Sequence, residues 1–208
     1  MSDGSEPVLS EGRLAGDWLA QFRHWQADVS ASPSCAEPDA MVLATADDSG
    51  RPSARTVLLK GVDGRGFEFF TNLDSRKGRE LAENPRASLV FPWYELRRQV
   101  IVVGDVVSVG GERADQYFAS RAYRSRLGAL ASRQSSVIDG REVLEDAMAE
   151  LEGRYPPDGP VPRPERWSGF RVEPDTVEFW QGRRDRLHDR LRFRRLGEGD
   201  WVVERLSP

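Results

Sequence analysis

The sequence predicts a small, mainly antiparallel β-barrel with helices packed against it. Three observations predict this. Short apolar or alternating runs separated by tight turns fill the two ends of the chain, and helical spacing is confined to the start and the middle. The fingerprints of nucleotide-binding and hydrolase α/β folds are also missing, with no GxGxxG, Walker A loop or GxSxG elbow. At 208 residues the chain is long enough for one domain with a real core.

The elements follow in order. Residues 1–12 are polar, acidic and poor in apolar side chains, which predicts a disordered tail ahead of a single domain over 13–208. Leu14, Trp18, Phe22 and Trp25 recur at helical spacing, and His24 beside this stripe reads as structural. A loop over 30–38 precedes a β-meander: a strand over 41–45, a turn at Asp47-Asp48-Ser49-Gly50, a strand over 53–60, a turn at Asp63-Gly64-Arg65-Gly66 and a strand over 67–71. A short helix over 75–83 stops before Asn84-Pro85, because the residue before proline avoids the helical region. Strands over 86–93 and 98–109 come next, then a helix over 112–121, an irregular stretch and a helix over 140–153. After a proline-rich loop over 156–164, strands return over 168–173, 176–181, 188–194 and 201–205.

Composition narrows the function. A net charge of −4 and a pI near 5.4 argue against a nucleic-acid partner. No run approaches the roughly 18 apolar residues of a membrane span, and the polar start is unlike a secretory signal, so a cytoplasmic protein is expected. Cys35 stands alone, and with His24 and His188 far apart no zinc-ligand spacing exists, so no metal is expected.

Of 30 basic residues only Lys60 and Lys77 are lysines. Where arginine is the general cation, a surviving lysine points to a need for a compact point charge. In Asp74-Ser75-Arg76-Lys77 a helix N-cap places two cations in the first turn, against the helix dipole. A bound anion reverses that penalty; an exposed basic turn is the alternative. Tyr117, Arg121 and Ser125 are spaced by four, which on one helix puts three phosphate donors on one face, or else forms a solvated face. Arg186, His188 and Arg190 alternate, which on a strand would make one cationic wall or a charged exposed strand. Trp180, Gln99 and Gln134-Ser135 could pack against and hydrogen-bond a heteroaromatic ring, although a strand Trp is more often core.

In sequence, RTVLLK (55–60), FFTNLDSRKG (69–78), NPRASLVFPWYELRRQVIVVG (84–104), YFASR (117–121), SRQSSVI (132–138) and VEFWQGRRDRLHDRLRF (177–193) resemble the pyridoxamine 5′-phosphate oxidase family from about Asp39 to Pro208. The resemblance implies a split β-barrel with FMN bound at a homodimer interface. It places FMN contacts on Arg55, Thr56, Val57, Leu58, Leu59, Lys60, Phe70, Thr71, Arg76, Lys77, Gln99, Gln134, Ser135, Trp180 and Arg190. It places the substrate phosphate on Lys60, Tyr117, Arg121 and Ser125, with Arg186 and His188 as catalytic residues facing the substrate ring. Departures fall on the substrate side: Ala122, Arg126 and Leu130 replace Pro, Gln and Trp, WSG replaces WGG, and QGR replaces QGG. The segment that closes over substrate in relatives like the bacterial enzyme is also absent from the first helix. The expected activity is oxidation of pyridoxine or pyridoxamine 5′-phosphate to pyridoxal 5′-phosphate, with O2 as acceptor and H2O2 as product. The alternatives are a phenazine-type flavin oxidase acting on another ring and a flavin-binding module without turnover.

Overall fold

The structure is a computed structural model that describes residues 8–208 except residue 198. Nine antiparallel strands form one curled sheet. They are β1 (Ala40–Ala46), β2 (Pro52–Leu58), β3 (Gly61–Asp63), β4 (Gly66–Asn72), β5 (Arg86–Trp93), β6 (Arg98–Ser108), β7 (Trp167–Gln181), β8 (Asp189–Leu196) and β9 (Asp200–Arg205). The strand order is β2-β1-β5-β6-β7-β4-β3, with β8 also pairing β7 and β9 pairing β8. The expected mainly β barrel with packed helices is therefore what forms.

Helix α1 (Trp18–Ala31) packs its apolar face into the core of the sheet. It starts later than its apolar spacing predicts because the Asp17 carboxylate accepts from the Ala20 N–H at 2.7 Å and fixes the first turn. Leu14 falls outside the helix but still packs on the core. Trp18, Phe22, Trp25 and Val29 are buried, and Phe22 meets Phe67 and Phe91 edge-on at 5.0 and 4.9 Å. Rings at this spacing add to the burial of their apolar area. His24 is exposed and lies 3.7 Å from Asp28, so it is a surface residue and not a structural one.

Of the expected disordered tail, residues 1–7 lie outside the described residues. Residues 8–12 are ordered instead: Leu9 is buried in the core and Glu11 makes a two-point ion pair with Arg205, both contacts at 2.8 Å. Three further differences matter. The stretch after residue 121 is a helix, α4 (Tyr123–Ala131), between α3 (Gly111–Ser120) and α5 (Glu142–Arg154). The strands expected over 168–173 and 176–181 are a single strand, β7, with a bulge where Val103 faces Thr176 but Gly104 faces Pro174. The extra residue, Asp175, is absorbed without ending the strand. Finally, β3 adds a short edge hairpin to β4. Helix α2 (Arg76–Glu83) falls where expected.

Candidate active site

Beside β2 and β4 lies a cavity of about 620 Å³, within the range of ligand pockets. Strand β2 is a sheet edge paired only with β1, so its outer backbone groups are free, and Thr56, Val57 and Leu58 line the cavity there. Lys60 follows on the same wall. Phe70 and Thr71 come from β4, and Gly169 on β7 makes room for the Phe70 ring: a Cβ there would lie 2.5 Å from its Cε1.

The second lysine sits at the start of α2. Ser75 caps the helix by accepting from the Gly78 N–H. Gly78 is required because a Cβ would lie 2.1 Å from the Leu73 carbonyl oxygen. Lys77 is buried, and its Nζ donates to Gln134 Oε1 at 2.8 Å, Thr71 Oγ1 at 3.1 Å and Ser75 Oγ at 3.3 Å. Burial, with Arg55 nearby, pulls this ammonium down to about 8, and Glu80 opposes the shift. A buried ammonium whose protein acceptors are all neutral, at a helix N-terminus, fits a phosphate group.

Arg55 and Arg76 do not line the cavity. Both are held by Glu80, a carboxylate with 6% side-chain exposure. Arg76 Nε donates to it at 2.8 Å and Arg55 Nη2 at 3.2 Å, while Ser53 and Thr45 donate through their hydroxyls. Burial pushes the Glu80 carboxyl up, but these four hydrogen bonds outweigh it and hold the group at about 2. Leu59, also predicted, is core.

Tyr117, Arg121 and Ser125 all line the cavity, although not by sharing one helix face. Arg121 is extended (φ −72°, ψ 148°) and ends α3, so Tyr117 belongs to α3 and Ser125 to α4, and the bend between the helices brings them together. The Arg121 guanidinium lies 5.0 Å over the Trp167 ring and 5.8 Å over Phe118. Its Nη1 is buried with no hydrogen-bond partner, and burial pulls the group below its ordinary value. An unpaired buried donor of this kind costs stability unless an acceptor arrives.

Gln134 lines the cavity, whereas Gln99, Trp180, Arg186, His188 and Arg190 lie away from it, in a second cluster. Gln99, Trp180 and Arg190 stand in one row across β6, β7 and β8. The His188 ring packs against Trp180 at 4.6 Å, and Arg190 makes a two-point pair with Glu178 at 2.7 and 3.1 Å. The expected strand wall of Arg186, His188 and Arg190 is corrected: β8 begins only at Asp189, and Arg186 sits in a short turn of helix with φ of 62°. The turn is held by the Arg183 N–H donating to His188 Nδ1 at 3.0 Å. Ser135 lies in the exposed loop after α4, also with positive φ (72°).

Sequence reasoning missed Trp167, Asn72 and Ser132, which also line the cavity. The signal for Trp167 was its place in the WSG motif, next to the glycine that admits Phe70.

Residues 32–155, more than half the chain, match the family described as pyridoxamine 5′-phosphate oxidase. The chain belongs to the pyridoxamine 5′-phosphate oxidase family. Residues 167–208 match the pyridoxine 5′-phosphate oxidase C-terminal dimerisation region, which carries most of the second cluster. Over 200 residues the chain is 57% identical to a pyridoxine/pyridoxamine 5′-phosphate oxidase of Salinispora arenicola (strain CNS-205), covering 96% of this chain and 90% of the relative. A protein of the same description from Cupriavidus necator is 51% identical over 200 residues, 96% and 93% of the two chains. The crystal structure of PhzG from Burkholderia lata 383 in complex with tetrahydrophenazine-1-carboxylic acid superposes with a TM-score of 0.90 at 35% identity, covering 99% and 100%. Pyridoxamine 5′-phosphate oxidases are a flavin-binding oxidoreductase family with the split-barrel fold described above. Among the described residues no helix is long and apolar enough to cross a membrane.

Proposed function

We propose that this protein is an FMN-dependent oxidase that converts pyridoxine or pyridoxamine 5′-phosphate to pyridoxal 5′-phosphate, with O2 as acceptor and H2O2 as product, as a cytoplasmic homodimer. The observation that carries this reading is the half-buried Arg121 guanidinium, whose Nη1 is buried and unpaired, on a cavity also lined by Lys60, Tyr117 and Ser125. Those four groups are a donor set for a phosphate dianion. The relatives at 57% and 51% identity, whose names specify a phosphorylated substrate, support it.

FMN bound here would supply the hydride acceptor for the substrate's C4′ carbon and the route by which the electrons reach O2. The chain's own residues bind and orient. Lys77 and the α2 N-terminus take the flavin phosphate, with Arg76 and Arg55 behind them on Glu80. The free edge of β2 offers backbone groups to the flavin ring. Lys60, Tyr117, Arg121 and Ser125 anchor the substrate's phosphate. His188 accepts a hydrogen bond at Nδ1, so its Nε2 carries the proton and can donate to an oxygen on the substrate ring. Arg186 stands beside it as the cationic partner.

The length of β7 supports a shared site between two copies. Trp167 opens this strand at the cavity and Trp180 nearly closes it at the second cluster. At about 3.3 Å per residue the path along the strand between them is roughly 40 Å, which favours the two clusters serving different sites. A second copy supplies Gln99, Trp180, Arg186, His188 and Arg190. A second reading, a flavin oxidase of another ring, is favoured by the superposition with PhzG and by Ala122 on the cavity wall.

One experiment separates these. Purified protein should be yellow, dimeric by light scattering, with about one FMN per chain, and should release peroxide with the phosphorylated vitamers but not with pyridoxine or pyridoxamine. FMN-loaded protein inert towards both phosphorylated vitamers would overturn the proposed substrate. A monomer retaining tightly bound FMN would overturn the shared site.

A further inference from the structure

We propose that Trp167 is a positioning residue for the substrate's phosphate: its π face beds the Arg121 guanidinium, so that this cation is held without a carboxylate. The inference deepens the function proposed above and rests on it.

Many buried or half-buried arginines elsewhere in this fold are held by acids, although Arg126, Arg166 and Arg195 have no acidic partner among the described residues. Arg55 shares Glu80 with Arg76, Arg171 shares Glu68 with Arg113, and Arg98 pairs with Asp28. Arg121 is also without an acid, and unlike those three it lines the cavity. Among the described residues no carboxylate pairs with it; burial lowers its proton affinity, and Tyr117 opposes this. What lies against the guanidinium is the Trp167 ring at 5.0 Å, with Phe118 at 5.8 Å.

The indole is itself fixed. It stacks on Phe70 at 5.4 Å and 12° and lies nearly parallel to Tyr117 at 6.0 Å, with Phe118 edge-on at 5.1 Å. Its backbone is pinned too: the N–H donates to Pro164 O at 2.9 Å, and the carbonyl accepts from Arg163 at 2.6 Å. The plate therefore cannot tilt without disturbing the cavity floor.

The choice of partner has a chemical consequence. A carboxylate at this position would neutralise Arg121 and would repel or compete with an arriving phosphate. A π face attracts the cation through its quadrupole, carries no net charge and accepts no strong hydrogen bond. It leaves Nη1 unpaired and the full positive charge available. Trp167 thus fixes where the guanidinium lies while leaving its hydrogen bonds to the ligand.

The test uses the full-length, FMN-loaded protein with Trp167→Leu, which keeps apolar bulk without a π face, and Trp167→Phe, which keeps a smaller one. The Leu variant should raise KM for pyridoxine 5′-phosphate about tenfold with kcat within about twofold, and the Phe variant should stay within about threefold of wild type in KM. FMN content and Tm, measured alongside, identify any variant damaged in folding. Calorimetry with inorganic phosphate provides an arm independent of turnover: wild type should bind it, and Trp167→Leu should bind at least about fivefold more weakly. An unchanged KM, a fall in kcat alone, a Phe variant as impaired as Leu, or equal phosphate affinity would each overturn the proposal. If wild type binds phosphate as expected but oxidises neither phosphorylated vitamer, the substrate assignment fails while the role of Trp167 stands.

Discussion

Around Glu80, two arginines, a serine and a threonine converge on one buried carboxylate, and every oxygen and most of the donors are satisfied within the protein. At Arg121, one guanidinium lies on aromatic rings with a donor left over. The difference separates scaffolding from binding. A cation closed off by an acid adds rigidity but has little charge left for a ligand. A cation bedded on a π face is a weaker stabiliser and a stronger receptor. Lys77 stands between them, bonded to neutral oxygens that a phosphate can outcompete.

The sharpest way to break this comparison is Glu80→Ala, which strands Arg55 and half-exposed Arg76. Removing one partner from a buried ion network should cost roughly 3 kcal/mol, read by urea unfolding. Because the folded-state value of Glu80 is depressed from 4.5 to about 2, its contribution is present above pH 4.5 and is lost as pH falls towards 2. Glu80→Gln should therefore flatten the acid limb of the stability profile. An unchanged acid limb would remove Glu80 from the scaffold.

Arg121→Ala comes next and should leave stability nearly intact. Its effect belongs to binding: losing charge-assisted hydrogen bonds worth about 1.5–3 kcal/mol should raise KM for pyridoxine 5′-phosphate by roughly 10- to 100-fold, with FMN content unchanged. Activity on the phosphorylated vitamer that ignores this change would show the clamp to be misassigned.

Lys77→Met should weaken FMN roughly tenfold while barely affecting riboflavin, which lacks the phosphate. In wild type the preference for FMN over riboflavin should shrink as pH rises past about 8, where the free protein's Lys77 loses its proton. Fluorescence titration of both flavins across pH 6.5–9.5, on the order of three units about that value, checks this; parallel curves would separate Lys77 from the phosphate.

The smallest effect tests the bend that builds the clamp. Ala122 has φ −53°, it is exposed, and the preceding Arg121 is extended, so proline fits without strain. Ala122→Pro should stabilise by about 0.4–1 kcal/mol through the unfolded chain. A loss of stability would mean that the bend needs the flexibility alanine gives it.

Much of this was legible in the sequence because local rules sufficed. Period-2 runs and turn residues located the strands, and Ser75 ahead of Arg76 and Lys77 located an anion-ready helix start. Tyr117, Arg121 and Ser125 line one cavity, but not on one helix face. Regular spacing suggested one helix, whereas the chain breaks at Arg121 and tertiary packing restores the grouping. The strand assignment for Arg186 and His188 failed because Asp185 and Arg186 adopt positive φ, which their residue types do not announce. Trp167 was visible only as part of the WSG motif; that it is core and also lies against Arg121 depends on tertiary packing. The ordered turn at Glu11 depended on Arg205, at the opposite end of the chain, which no local window contains.

The length of β7 has a genetic consequence. If the two clusters on one strand serve different sites, a damaged allele need not be a null one. A subunit carrying Arg121→Ala spoils the site built on its own cavity, and one carrying His188→Ala spoils the site on its neighbour's. Paired in a heterodimer, they place both lesions in one site and leave the other intact. Two strains unable to make the product alone should complement when both alleles are co-expressed, whereas two alleles altered within the same cluster should not.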